Sequence, residues 1–228
     1  MKALATALLI ALTAPGLATA QTASAPAAAT GDPARLVGLI VPDQQMSTLI
    51  GAGFRTLFAT AIAGDPKAKA LYEANPGMQD FVGGRVADAL AGLIRADLPE
   101  LRTQLVAIVR EEMEPDEIAD TIGFFESPTG TKMRARAIAA LQQQTPATAE
   151  QGQQAAAQAA IADLTPDDYP VLTTFGTSSA AKKMQIVNPK IMAASQAWGQ
   201  QIVSVNAARL KAVRDVAEAE FLAKAKAK

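Results

Sequence analysis

The chain has 228 residues, of which 50% are hydrophobic and 4% aromatic, and its formal net charge is -1. This length can bury one large core or two small ones, and a charge near zero argues against nucleic-acid binding, which needs a basic surface. The chain has no cysteine and no histidine, so it can form no disulfide and lacks the commonest general base and metal ligand.

Residues 1–20 have the pattern of a signal peptide. Lys2 gives the positive start, residues 3–14 are apolar, and Ala18-Thr19-Ala20 is an A-x-A site that predicts cleavage after Ala20. The apolar run is too short to span a bilayer as a helix. We therefore expect a periplasmic or secreted protein with no membrane span in its mature chain. Residues 21–32, rich in Ala, Ser, Thr and Pro, are expected to form a disordered leader.

Residues 33–228 are predicted to form a helical domain, because apolar side chains recur every three or four residues and few strand signals occur. Asp32-Pro33 and Asp65-Pro66 are typical helix starts. The pattern predicts helices near residues 33–41, 43–63, 66–74 and 78–112. Pro99 is expected to kink or split the last of these.

Two stretches of the chain resemble each other without a gap, at an offset of 166 − 115 = 51 residues. Residues 113–133 read MEPDEIADTIGFFESPTGTKM and residues 164–184 read LTPDDYPVLTTFGTSSAAKKM. A repeated stretch of this kind predicts a repeated packing unit. Each copy predicts a helix start, a short helix, a break and a second helix. The matched pairs include Pro115 and Pro166, Phe124 and Phe175, Ser127 and Ser178, and Lys132 and Lys183.

The starts of the two copies are expected to differ in strength. Thr165 and Asp168 have the spacing of a capping box, whereas Glu114 is a weaker cap. Pro170 is expected to remove a hydrogen bond inside the first helix of the second copy. The expected core positions are Phe124 and Phe175, and the expected solvated positions are Lys132 and Lys183.

The first copy fits a recognisable motif, M-T-P-E-E-(L/I) followed by (F/Y)-(F/Y)-x-S-P-x-G-K-K. Its residues are Met113, Pro115, Asp116, Glu117, Ile118, Phe124, Phe125, Ser127, Pro128, Gly130 and Lys132. The motif resembles that of secreted bacterial proteins known as domain of unknown function 2059 (DUF2059), roughly over residues 50–140 and loosely over the second copy. Glu114 and Thr131 depart from the Thr and Lys that the family usually has. The resemblance implies a helical, exported protein and carries no activity with it.

Residues 142–161 are rich in Gln and Ala and predict either a linker between halves or an alanine-rich helix. The high helix propensity of alanine favours the helix. Asn188-Pro189 is expected to open a long last helix that ends near Leu222. The predicted fold is an all-α bundle of about eight to ten helices. It forms either one domain or two related halves, 33–141 and 162–228.

Three groups of residues carry candidate chemistry, and each has a simpler structural interpretation. Ser179 and Lys182 fit S-x-x-K, but no S-D-N or K-T-G motif accompanies them. The carboxylates of residues 111–120 lack the spacing of a calcium loop and suit a helix start. Trp198 and Tyr72 could line a ligand groove but are expected in the core. No catalytic, cofactor-binding or metal-binding residue is predicted.

The sequence favours a non-catalytic binding or interaction module of the cell envelope, whose partner is an unknown protein or an apolar ligand. One alternative is an envelope hydrolase that uses carboxylates or the Ser179–Lys182 pair, which would need these groups in a common cleft. A second alternative is a structural or oligomeric envelope protein, which would expose an apolar face on the last helix.

Overall fold

The computed structural model describes residues 31–42, 54, 58–143 and 149–226. All regular structure in these ranges is helical, which confirms the predicted all-α bundle. The helices are α1 (Pro33–Ile40), α2 (58–64), α3 (Pro66–Glu73), α4 (Met78–Glu112), α5 (Pro115–Glu126), α6 (Pro128–Gln143), α7 (Ala149–Ala162), a 3-10 helix (Pro166–Asp168), α8 (Tyr169–Gly176), α9 (Ser179–Val205) and α10 (Ala207–Lys226). The predicted signal peptide, most of the leader and most of the predicted helix at 43–63 lie outside the described residues.

Proline and a preceding polar residue open several of these helices, as predicted. Asp32 accepts a hydrogen bond from the Ala34 N–H, and Asp65 accepts from Lys67 and Ala68 at the start of α3. These bonds use backbone donors that have no partner inside the helix. Proline in the first turn loses nothing, because its missing N–H would have had no helical acceptor.

Two prolines lie inside helices. α4 runs unbroken through Pro99, which excludes the predicted alternative of a split there. α9 runs through Pro189, so the prediction that Asn188-Pro189 opens the last helix is wrong. The break comes instead at Asn206, between α9 and α10. A proline in a helix costs about 3 kcal/mol, whereas each fully buried aliphatic or aromatic side chain contributes about 1.5–3 kcal/mol. The buried side chains on both sides of Pro189 therefore outweigh its cost; they are Met184, Val187, Ile191, Trp198 and Ile202.

The main core forms around α4, which packs against α1, α9 and α10. The centre of α4 carries side chains with no exposed surface, among them Leu90, Leu101 and Leu105. α1 contributes Leu36 and Val37. An apolar stripe buried along one long helix explains why helices distant in sequence assemble on it.

A second, smaller core joins α5, α6, α7 and α8. α6 and α7 approach through alanine side chains, which allow close packing of two helices. The alanine-rich helix predicted within residues 142–161 is therefore confirmed for residues 149–162, and the alternative prediction of a linker is wrong for them. Residues 144–148 lie outside the described part of the chain. The buried members of this second core are Phe124, Met133, Ala137, Ala156 and Ala160.

Candidate functional site

The turn between α5 and α6, which we call the elbow, is built by the S-P-x-G residues of the motif. The Ser127 hydroxyl donates to the Phe124 carbonyl at 2.7 Å and accepts from the Gly130 N–H at 3.0 Å. Pro128 occupies the first turn of α6. A methyl group on Gly130 would lie 2.0 Å from the Phe124 carbonyl oxygen, so only glycine lets the two backbones come this close. The motif is thus explained by local folding.

The start of α5 is also held by a side chain of the motif. The Glu114 N–H donates to the Glu117 carboxylate at 3.0 Å, which compensates for the weak cap predicted at Glu114. The neighbouring motif residues Met113 and Ile118 are buried in the main core.

Lys132, which is partly exposed, and the buried Asp168 form an ion pair that ties α6 to the start of α8. The Lys132 ammonium donates to Asp168 Oδ2 at 2.6 Å, and the buried Thr129 hydroxyl donates to Oδ1 at 2.8 Å. Asp168 also accepts from the N–H and the hydroxyl of Thr165, at 2.8 and 2.9 Å. The predicted Thr165–Asp168 pair is therefore confirmed, whereas Lys132, predicted to be solvated, is only partly exposed and is paired. The ammonium is drawn inward because Asp168 would otherwise be buried without a countercharge.

The surroundings of Asp168 favour its ionised form. The hydrogen bond from Lys132 is the largest cause that holds the pKa of Asp168 well below its usual value, and the Thr165 N–H and Thr129 hydroxyl add to it. Burial acts in the opposite direction but is weaker. Since the folded pKa is depressed, the ion pair stabilises the fold fully above the unfolded pKa of about 3.9, and this stability is lost as pH falls below it.

Asp168→Asn is therefore expected to flatten the acid dependence of folding stability. Urea unfolding between pH 7 and pH 3 should show a smaller loss of unfolding free energy in the variant than in the unchanged chain, with the difference growing below about pH 4. The exposed Asp167→Asn variant is the control and should follow the unchanged chain. Equal slopes for all three chains would show that Asp168 is not held in its ionised form.

α8 rests on the elbow but buries little of its own surface. The rings of Phe175 and Phe124 stack with their centroids 4.1 Å apart and their planes at 5°. Phe175 is only partly buried, less than predicted, and no residue of α8 is fully buried. Pro170 lies in the first turn of α8, so the prediction that it removes a helical hydrogen bond is wrong.

The exposed surface of α8 is uncharged and partly apolar. Tyr169 is 57% exposed, Val171 is 37% exposed, and Pro170 between them is exposed as well. The whole helix, YPVLTTFG, contains no charged residue. Single apolar residues on a surface are common, but three consecutive ones on a helix with no fully buried residue point to a contact surface. The sequence predicts Phe175 as a core residue and places Tyr169 in a hydrophobic staple with Leu164, and neither pattern indicates exposure.

The second copy repeats several hydrogen bonds of the first. The Ser178 hydroxyl donates to the Phe175 carbonyl at 2.7 Å and accepts from the Ala181 N–H at 3.1 Å, as Ser127 does with Phe124 and Gly130. The helix, break and helix predicted for this copy are present, with the 3-10 helix and α8 before the break and α9 after it.

The other candidates from the sequence lie in separate parts of the fold and do not share one buried site. Ser179 and Lys182 are both exposed on the first turns of α9. Trp198 and Tyr72 are buried in the main core, as predicted. The Trp198 N–H donates to Asp97 at 2.7 Å, and the Tyr72 hydroxyl donates to Glu218 at 2.6 Å. Burial is the largest cause that raises the pKa of Tyr72.

The carboxylates of residues 111–120 serve separate roles. Glu111, Asp116 and Asp120 are exposed, and Glu112 pairs with Lys190 on α9. Within the ranges that the structure describes, no group of three or more Asp or Glu side chains could hold a metal ion. In the same ranges, no helix is both long and apolar enough to cross a membrane.

Residues 99–167 match the model of the family described as "Uncharacterized protein conserved in bacteria (DUF2059)". The chain resembles this family. The match begins later than residue 50 and ends later than residue 140, the bounds that the motif suggested. It includes the later part of α4, the elbow, α7 and the loop before α8. No curated protein and no solved structure matches the chain. The matched residues include α5, on which α8 packs, whereas α9, which α8 also contacts, lies outside the match.

Proposed function

We propose that this DUF2059-like chain is an exported, non-catalytic binding module of the cell envelope, and that its binding surface is the outer side of α8. The observation that carries the proposal is an uncharged helix with exposed Tyr169 and Val171 that buries no residue of its own. Burying such side chains against a partner removes apolar surface from water, which is the dominant favourable contribution in most protein associations. The signal-peptide pattern of residues 1–20 supports export.

The way in which α8 is held also supports a binding role. The Lys132–Asp168 pair fixes one end of α8, and the Phe124–Phe175 stack fixes the other. A surface that is held in place before binding loses less conformational entropy when the partner arrives. We further propose that residues 113–133 and 164–184 are two copies of one packing unit, the second of which has become the binding copy.

Native mass spectrometry of the exported chain, Gln21–Lys228, tests the proposed function. The chain would be purified gently from the periplasmic fraction of its own host, together with Tyr169→Asp and Val216→Asp variants. Val216 is 67% exposed on α10 and provides a matched apolar control. We expect added mass on the unchanged chain and on Val216→Asp, and its loss in Tyr169→Asp.

Two other spectra would contradict the proposal. A clean monomer in all three samples would count against any stable partner. Masses at whole multiples of the chain that persist in Tyr169→Asp would indicate an oligomeric envelope protein instead.

A further inference from the structure

The partner of α8 can be inferred from the distribution of side chains along one side of the helix. This inference rests on the proposed binding role of α8. Tyr169, Thr173 and Gly176 are all exposed and, at spacings of four and three residues, share that side. The Tyr169 ring projects from the first turn, and Gly176, about two turns further on, has no atom within 4 Å of an added methyl group. This side of α8 therefore has a projecting ring at one end and open space at the other.

The charges that flank α8 are of opposite sign. Asp167 is exposed directly before α8, and Lys182 is exposed in the first turns of α9, which follows the end of α8. The adjacent Lys183 is partly exposed and adds to the positive charge. Asp168 is taken up by Lys132, whereas no ion pair of Asp167 or of Lys182 occurs within the described part of the chain. Negative charge is therefore available before the helix and positive charge after it.

A surface of this kind is complementary to itself when two copies meet in antiparallel orientation. In a two-fold contact the same patch serves both subunits, so that every pairing occurs twice. Turning one α8 end for end brings the Tyr169 ring of one copy to the open space at Gly176 of the other, with the small Thr173 near the axis. The same rotation brings Asp167 of one copy towards Lys182 of the other. Antiparallel helices also place opposite ends of their dipoles side by side, so shape and charge select the same arrangement.

The elements directly before and after α8 add further exposed apolar side chains. Within the described ranges, six large hydrophobic side chains are exposed, and four of them lie between residues 161 and 186. Besides Tyr169 and Val171, these four include Ile161 at the end of α7 and Ile186 on α9, which are 56% and 51% exposed. Ile186 follows Lys182 by four residues, so both lie on the same side of α9. A specific dimer buries about 1,200–2,000 Å² in total, which is more than one short helix offers, and these neighbours supply additional surface.

We propose that the partner of α8 is a second copy of this chain, and that the two α8 helices pack antiparallel across a two-fold axis. Each Tyr169 lies over the partner copy's Gly176, and each Asp167 pairs with the partner copy's Lys182. Burial of the two tyrosine rings supplies the apolar contribution to association. The two ion pairs fix the orientation, because a parallel arrangement would bring like charges together at both ends.

Sedimentation velocity of the exported chain, purified alone, tests this proposal at concentrations up to about 1 mM. We expect a monomer–dimer equilibrium whose dissociation constant rises about ten-fold or more in Tyr169→Asp, the loss typical of a central interface residue. Gly176→Leu should weaken the dimer to a similar extent, because its side chain fills the space that the ring needs. Leucine suits a helix better than glycine, so this loss would not reflect a weakened fold. Val216→Asp on α10 should dimerise as the unchanged chain does.

Charge reversal tests the antiparallel orientation separately. In a dimer of Asp167→Lys, lysine would face lysine at both ends, and in a dimer of Lys182→Asp, aspartate would face aspartate. Each variant alone should therefore dimerise more weakly than the unchanged chain. In an equal mixture of the two variants, the mixed dimer has opposite charges at both ends. We expect the mixture to regain the dimer fraction of the unchanged chain.

Three results would overturn the proposal. One is a chain that stays monomeric at every concentration, and another is a dimer that Tyr169→Asp and Gly176→Leu leave unchanged. The third is a mixture of the two charge variants that dimerises no better than either variant alone. If the native mass spectra of the host material then showed a different partner that depends on Tyr169, only the second copy would fail as the partner, and the proposed binding role of α8 would stand.

Discussion

Gly130→Ala is expected to lower the free energy of unfolding by about 3 kcal/mol, the upper end of the usual cost of overpacking. The added methyl would lie 2.0 Å from the Phe124 carbonyl oxygen and 3.0 Å from Phe125 Cα. Both are backbone atoms, which cannot rotate away as the end of a side chain can. The elbow would have to open, and the Ser127 hydroxyl would lose its bond from the residue 130 N–H. Urea unfolding followed by circular dichroism measures the change.

Gly123→Ala is the matched control and should change stability in the opposite direction. Gly123 lies in the same helix–turn–helix unit, is exposed inside α5, and has no atom within 4 Å of an added methyl. Alanine there should stabilise the chain by about 0.5–1 kcal/mol, because it restricts the unfolded chain and favours the helix. Equal effects of the two substitutions would mean that the close approach at Gly130 does not form.

Phe124→Ala is expected to destabilise the chain by about 3–5 kcal/mol, the usual range for a buried Phe. Phe124 is buried in the second core and stacks on Phe175, so its removal takes away the support of α8. Hydrogen exchange with mass spectrometry should therefore show faster exchange in α8 and in the facing part of α7 than elsewhere. Local opening of this kind reports on the few buried contacts that hold an element in place.

Leu101→Ala provides the comparison for Phe124→Ala. Leu101 is fully buried in the main core on α4, and its truncation should cost about 2–5 kcal/mol. Because the main core does not support α8 directly, exchange in α8 should rise no more than in the chain as a whole. A preferential opening of α8 in Leu101→Ala, or its absence in Phe124→Ala, would contradict the arrangement described for the elbow.

Local signals in the sequence predicted most of the described helix starts. Pro33, Pro66, Pro115 and Pro128 each lie in a first helical turn, as expected, because the requirements of a helix start are met by neighbouring residues. Pro189 was misassigned for the same reason. Its local preference favours a helix start, but α9 gains more from packing its buried stripe on α4 than it loses at one missing hydrogen bond.

The candidate site could not be predicted, because it depends on contacts between residues distant in sequence. Lys132 and Asp168 are 36 residues apart in the chain, and no local pattern distinguishes a lysine that pairs from one that is solvated. The exposure of α8 could not be predicted from the sequence for a different reason. Apolar residues such as Tyr169 and Val171 normally predict burial, and only the packed structure shows which side of the helix remains open.

The motif that carries the family resemblance has a structural explanation in this chain. Ser127 and Gly130 shape the elbow, Glu117 caps α5, and Lys132 reaches Asp168 just beyond the matched residues. These motif residues shape the turn and the helix starts that support α8, and this structural role requires none of them to be catalytic. The motif is therefore compatible with a protein whose role is to bind a partner. The relation between the two copies, the division into halves and the cleavage after Ala20 stay predictions.

Site-specific photocross-linking in the living host tests most directly whether α8 is a binding surface. Tyr169 would be replaced by p-benzoylphenylalanine in the full chain, and Val216 on α10 would be replaced in a parallel strain as the exposed apolar control. We expect a discrete cross-linked species after irradiation at position 169 and none at position 216. No adduct at position 169, or the same set of adducts at both positions, would contradict a specific partner for α8.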